Sequence, residues 1–213
     1  MSIQVNPTAF GPAEFQKETG VSDAVLDKFR RYERLVGEWN ERAALIGDST
    51  LPQIWHRHFL DSAQLLALLP KAGGRIADIG SGAGFPGLVL AVLGVKNITL
   101  FERNTRKSAF LQEVSNQLEA PVEILNITSE DYGGAAFDVV TSRATAPLDE
   151  LIDISSSLRK PSTVCLFLKG KNLDDEIREA QKNWQVNDLR RIQSLTDSKS
   201  AILRLAAINP VKP

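Results

Sequence analysis

The stretch Ile76-Ala77-Asp78-Ile79-Gly80-Ser81-Gly82-Ala83-Gly84-Phe85-Pro86-Gly87 constrains this chain more than any other. A short apolar run, suited to a buried strand, ends in a cluster of glycines and passes into an apolar helical pattern. Glycines at a strand-to-helix turn permit positive φ and let a ligand approach bare backbone. The helix start beyond them offers free N–H groups and a positive dipole end to a carboxylate or phosphate. Such a turn belongs at the carboxyl edge of a parallel α/β sheet, where adenosine-bearing ligands bind.

The remaining pattern supplies that sheet. Strands are predicted over 75–80, 97–101, 122–125, 137–142 and 163–168, alternating with helices over 86–94, 105–118, 147–158 and 173–183. Alternation of this kind implies parallel strands with helices on both faces. The tail differs: 184–194 and 199–208 read as two strands joined by the turn-rich Leu195-Thr196-Asp197-Ser198, a C-terminal antiparallel hairpin. Upstream, helices are predicted over 10–19, over 23–44 with Ser22 as cap, and over 53–69, each carrying apolar residues at three- and four-residue steps. The expected fold is a Rossmann-like α/β domain over 71–213, with residues 1–70 as a helical extension packed on it.

A chain of 213 residues, 43% hydrophobic and 24% charged, suits one such domain with a modest extension and a sizeable core. No apolar stretch approaches the roughly 18 residues of a membrane span, and Met1 to Phe10 lacks the pattern of a secretory signal, so a cytoplasmic protein is expected. Cys165, the single cysteine, lies in the apolar run 163–168 and reads as a small buried hydrophobe. With two histidines besides, no metal site is expected. A net charge of −1 and a pI near 6.2 advertise no polyanionic partner, and leave nucleic-acid binding to a local basic patch.

Two cofactor classes use such glycines. Gly82-x-Gly84-x-x-Gly87, with Glu102 following 20 residues after Gly82, formally matches a dinucleotide fingerprint. The register argues against it, because Asp78, Ile79 and Gly80 precede the trio where a dinucleotide site places its first glycine at the strand end. Asp-x-Gly-x-Gly-x-Gly suits S-adenosylmethionine, which has no pyrophosphate but carries an ammonium group for Asp78 to balance, directly or through water. Glu102, closing the second strand, is positioned to accept charge-assisted hydrogen bonds from the ribose diol. The plainer reading makes Glu102 a cap for the helix beginning at Asn104; the glycine turn favours the ligand role.

Over nearly its whole length the chain resembles the bacterial 16S ribosomal RNA guanine-N7 methyltransferases, the glucose-inhibited division protein B family. The matching landmarks are Tyr32 through Trp39-Asn40, His58-Phe59-Leu60-Asp61-Ser62, Asp78 to Gly87 with its Gly-Phe-Pro-Gly ending, Phe110-Leu111, Phe137 to Ala144 with Ser142-Arg143-Ala144, and Lys169-Gly170. Two departures stand out: Arg106-Lys107 inverts the family's usual order, and Thr128 replaces a common basic residue. The resemblance implies cofactor contacts at Gly80, Phe85, Ser129, Glu130 and Arg143, which join Asp78, Gly82, Gly84 and Glu102 from the residue-level reading. It implies methyl transfer to N7 of a guanine in 16S ribosomal RNA, within the 30S subunit or an assembly intermediate.

That chemistry is an in-line displacement at a sulfonium methyl, and the N7 lone pair carries no proton, so no general base is expected. Catalysis would be positioning, with Arg143 and Lys169 as candidates. Positive charge moves onto the purine, and a cation 4 Å away would cost roughly 4 kcal/mol at an effective dielectric of 20. Arg143 is therefore expected to grip the cofactor carboxylate or an RNA phosphate. Taken singly, each further basic residue reads as part of an ordinary solvated face; taken as two surfaces flanking one pocket, Lys169 and Lys171 on one side and Arg30, Arg31, Arg34, Arg42, His56, Arg57 and His58 on the other are read as holding RNA phosphates. His58 and Asp61, three apart on one helix, are expected to bond each other; Trp39 and Trp55 are read as core. The rival readings are a nicotinamide-dependent oxidoreductase and a non-catalytic adenosine-ligand sensor or ribosome assembly factor.

Overall fold

Strand β1 (Ile76–Ile79) alternates its side chains between two separate apolar clusters, which shows how the sheet is buried. Ile76 joins one cluster and Ala77 and Ile79 the other, as the two-residue period of a strand requires. Both faces are therefore covered, the condition under which parallel sheets occur. The computed structural model describes residues 10–143 and 146–211; the expected absence of a signal over the first nine residues and the motif residue Ala144 lie outside them.

The sheet has seven strands in the order β3-β2-β1-β4-β5-β7-β6. Strands β1, β2 (Ile98–Phe101), β3 (Glu123–Leu125), β4 (Phe137–Arg143) and β5 (Arg159–Lys169) run parallel. Strands β6 (Trp184–Gln193) and β7 (Ala201–Pro210) form the expected hairpin, and β7 enters antiparallel beside β5. β5 begins earlier than the expected Thr163, because Arg159 already pairs with Phe137 across a register shift. Cys165 is fully buried there, and burial pushes its thiol up to about 12.

One face of the sheet is covered by α4 (Gly87–Val92), α5 (Thr105–Gln117) and the N-terminal helices α1 (Pro12–Thr19) and α2 (Asp23–Ala43). The other is covered by α6 (Leu148–Ile154) and α7 (Leu173–Asn183). Ser22 caps α2 as expected, accepting from the Val25 N–H, and Leu26, Phe29, Tyr32, Leu35 and Val36 form its buried face. The predicted regular helix over 53–69 is instead a chain of short turns. They are 3-10 over Asp48–Gln53, π over Trp55–Leu60, an α turn α3 (Asp61–Ala63), and 3-10 over Gln64–Leu68. Pro52 lies inside the first of these, where it has no N–H to give to an α-helical ladder. The change in winding lets Ile54, Trp55, Phe59, Leu60 and Leu65 all reach the core.

Tyr32 ties this helical layer to the glycine turn. It is fully buried, and its hydroxyl donates to the Ala83 carbonyl at 2.5 Å. Tyr32→Phe strands that buried carbonyl, at a cost of about 1–2 kcal/mol. The expected fall in melting temperature is roughly 2–8 °C for a chain of this size, and calorimetric melting checks it; an unchanged melting point removes the bond from the account.

Candidate active site

A cleft of about 1100 Å³ opens at the carboxyl ends of the parallel strands. On one side stand the glycine turn, Glu102 and the segment 127–130. On the other stand Thr50, His56, Arg57, His58 and Asp61, with the link between β6 and β7 beside them.

Gly80 and Gly82 line the cleft with positive φ, 65° and 57°. A Cβ on Gly82 would meet nothing nearer than the Gly80 carbonyl at 3.7 Å, so its requirement is backbone conformation at an open surface. Gly84 is different. It does not line the cleft, and a Cβ there would stand 2.2 Å from the Tyr32 hydroxyl. Its smallness serves packing against α2.

Asp78 lies outside the cleft lining as well. It shares the strand parity of Ile76, which points it beneath α4 and away from the cleft. It is fully buried, with Oδ2 accepting from the Gly87 N–H at 3.1 Å and Oδ1 from the Thr141 hydroxyl at 2.9 Å. Burial raises its carboxyl to about 6, against the lowering pull of these bonds and of Arg143. Asp78 thus fixes the turn from below and does not reach an ammonium group directly. Thr141 escaped the sequence reading, since only the β1–β4 register sets it opposite Asp78.

Glu102 lines the cleft and is 7% exposed. Its Oε2 accepts from the Gly82 N–H at 2.9 Å and its Oε1 from the Asn104 N–H at 2.8 Å. Asn104 itself caps α5, accepting from Arg106 and Lys107. Glu102 therefore braces both the turn and the helix start, and each oxygen keeps a second lone pair. Ser129 is buried at the cleft wall, donating to the exposed Glu130 at 2.8 Å. Thr128 donates to Asp131, and Lys107 borders the opening.

Phe85 lines the cleft with the Arg143 guanidinium 4.8 Å over its ring and His58 stacked at 5.0 Å. Arg143 closes β4 and donates to the Arg57 carbonyl at 3.1 Å. Burial lowers its pKa, opposed by the charges of Asp61 and Asp78. Lys169 departs from expectation: it is 6% exposed, pairs with Glu176 at 2.5 Å and donates to the Ala146 carbonyl. Lys169 lines the cleft with its charge already balanced by Glu176, whereas Lys171 is exposed.

His58 and Asp61 do not bond each other. His58 Nε2 lies 3.0 Å from the Thr50 hydroxyl, which itself donates to the Gly47 carbonyl. The imidazole must then donate through Nε2–H, leaving Nδ1 as a bare acceptor with no hydrogen-bond partner. Burial, then the charges of Arg143 and Arg57, push His58 down to about 3, so the ring is neutral. Trp55 is buried and Trp39 packs edge-on against Phe110, as core residues. Arg30, Arg31, Arg34 and Arg42 are exposed on α2, Arg30 beside Asp27. Among the described residues no group of three or more His, Cys, Asp or Glu is arranged to hold a metal ion, and no helix is long and apolar enough to cross a membrane.

This architecture is similar to that of solved methyltransferases. Magnesium protoporphyrin IX methyltransferase from Synechocystis, solved with bound S-adenosylmethionine, aligns over 97% of this chain and all of its own at 14% identity, with a TM-score of 0.58. Ribosomal protein L11 methylase from Lactobacillus delbrueckii gives 0.56 at 15% identity, over 76% of this chain and 80% of its own. At these identities the likeness establishes the fold. In sequence, the chain is 42% identical over 199 residues to the ribosomal RNA small subunit methyltransferase G of Paramagnetospirillum magneticum, covering 93% of this chain and 97% of that one. It is 40% identical to the protein of the same name from Rhodospirillum rubrum, covering 93% and 98%. The model of the GidB family, rRNA small subunit methyltransferase G, matches residues 25–202, and the chain belongs to that family.

Proposed function

We propose that this chain transfers the methyl group of S-adenosylmethionine to N7 of a guanine in 16S ribosomal RNA, in the cytoplasm, on the 30S subunit or an assembly intermediate. The observation that carries the reading is the single cleft in which the glycine turn, Glu102 and the 127–130 segment face a polar wall from the N-terminal helices. Its volume exceeds what a nucleoside fills and leaves room for an unstacked base. Residues 1–70 act in this reading as an extension that supplies the second wall to the domain 71–213; the apolar cluster shared by α1, α2 and α4 supports its packing on that domain.

The site fits the cofactor on its own chemistry. Gly80 and Gly82 offer backbone without side chains, and Glu102 has lone pairs left for two ribose hydroxyls. Ser129 and Glu130 line the same cleft and in this reading offer an adenine edge a backbone N–H and an acceptor, while Phe85 is held between His58 and Arg143. Bound there, S-adenosylmethionine supplies a sulfonium methyl that passes to the N7 lone pair as the carbon–sulfur pair returns to sulfur. No proton moves, and the chain's residues need only align and hold. Arg57, Lys107 and Lys171 are at hand for phosphates.

Arg143 belongs to binding in this reading. Arg143→Ala is expected to weaken S-adenosylhomocysteine or 30S affinity by about tenfold or more, as a charge-assisted contact would. Unchanged affinities with a large loss of turnover would assign it to the chemical step. The whole reading is tested by calorimetry with S-adenosylhomocysteine, NAD and NADP, and by tritiated methyl transfer to 30S subunits from cells lacking the protein, with naked ribosomal RNA alongside. Heat with the nicotinamide nucleotides alone, or no transfer to either RNA, rejects it.

A further inference from the structure

Asp61 stands at the start of α3 on the wall of the cleft opposite Glu102, and its hydrogen bonds are one-sided. Gln64 at 2.8 Å, Thr196 at 2.7 Å and Ser194 at 3.3 Å all donate to Oδ1. Two of these come from the link between β6 and β7, so the carboxylate is clamped between that link and the N-terminal layer. Among the described residues no donor reaches Oδ2. Three residues earlier His58 presents a second acceptor without a partner, Nδ1, on a ring only 7% exposed. Nδ1 is sealed from the cleft, so Asp61 Oδ2 is the accessible acceptor on this wall, and a ligand that brings a donor completes it.

We propose that Asp61 reads the Watson–Crick edge of the target guanine, with Oδ2 accepting its N1–H, and that this contact tightens as the methyl arrives. The proposal rests on the guanine-N7 reading above. Guanine offers adjacent donors at N1 and N2, whereas adenine and cytosine turn a lone pair toward the same place and would be repelled. The purine gains the positive charge that sulfur loses, which makes N1–H a stronger donor and draws it to the carboxylate. An interaction that grows toward the transition state raises kcat and does more than improve binding. It also offsets the repulsion that Arg143 exerts on a cationic purine.

The test uses full-length enzyme and 30S subunits, reading 7-methylguanosine by borohydride–aniline cleavage and S-adenosylhomocysteine affinity by calorimetry. Asp61→Asn is expected to lower kcat by about 10- to 100-fold, the size of a hydrogen bond to a charged group. Cofactor affinity and the KM for subunits should stay within about threefold, a split that a merely structural residue would not give. Asp61→Glu should recover part of the rate. Subunits reconstituted with base analogues at the modified position test the contact from the other side with wild-type enzyme, whether or not the variants fold. Inosine, which keeps N1–H, should react within about fivefold of guanine, and 2-aminopurine, which lacks it, at least about 30-fold more slowly. Equal rates with 2-aminopurine and guanine, or full turnover by Asp61→Asn, overturn the assignment of Asp61 alone. Wild-type enzyme that makes no 7-methylguanosine overturns the underlying reading instead.

Discussion

Gly84→Ala is expected to cost about 3–5 kcal/mol of stability and to lower the melting temperature by roughly 6–20 °C. Two independent penalties meet at this residue. Its φ is 87°, a backbone conformation that an L side chain enters only with strain. Its Cβ would also stand 2.2 Å from the Tyr32 hydroxyl and 2.8 Å from Leu88 Cβ. Tyr32 cannot yield, because it is fully buried and bonded to the Ala83 carbonyl one residue away. The double variant with Tyr32→Phe separates the two causes: removing the hydroxyl should recover about 1–2 kcal/mol of the overpacking and leave the backbone strain. Additive losses in the cycle would mean that the clash plays no part. Gly82→Ala, with open space around its Cβ, should show strain alone, at about 1–2 kcal/mol.

That contrast marks what a sequence discloses about such a turn. The spacing of Gly80, Gly82 and Gly84 announces the turn itself, and the alternating strands and helices announce the sheet that carries it. Which glycine faces ligand and which faces protein depends on what packs above, here a tyrosine 52 residues upstream of Gly84. Asp78 teaches the same lesson through strand parity: an acid two residues before a glycine reads as a ligand, yet the pleat turns it into the core, where Gly87 and Thr141 hold it. Lys169 looked free because its partner, Glu176, lies on the following helix, and only the packing of α7 against the strand end makes the pair. Over 48–68 the apolar residues keep a roughly helical spacing, but three kinds of winding bring Ile54, Trp55, Phe59, Leu60 and Leu65 to the core and leave Leu66 exposed, which periodicity alone does not distinguish. Asp61 and the β6–β7 link lie far apart in the chain, so their clamp was invisible until the hairpin was folded back.

Glu102→Ala is expected to weaken S-adenosylhomocysteine binding by about 100-fold, near 2.7 kcal/mol. Two losses contribute to this. The Gly82 and Asn104 N–H groups lose the oxygens that hold them at 2.9 and 2.8 Å, so the turn loses its brace at the point where φ is 57°. The ribose hydroxyls lose an anionic acceptor, a contact stronger than its neutral equivalent. Glu102→Gln should not restore binding, because an amide must aim its NH₂ group at one of two N–H donors. Bracing and gripping are separable with a second ligand, the 2′-deoxy analogue of S-adenosylhomocysteine. If Glu102 grips the diol, wild-type protein prefers the hydroxylated ligand by about tenfold and Glu102→Ala loses that preference, a coupling between one side chain and one hydroxyl. If the variant keeps the full preference, the carboxylate serves the turn alone and the sugar is held elsewhere in the cleft. Because Gly82 and the diol would then compete for nothing, the loss of affinity would shrink to what a slackened backbone costs.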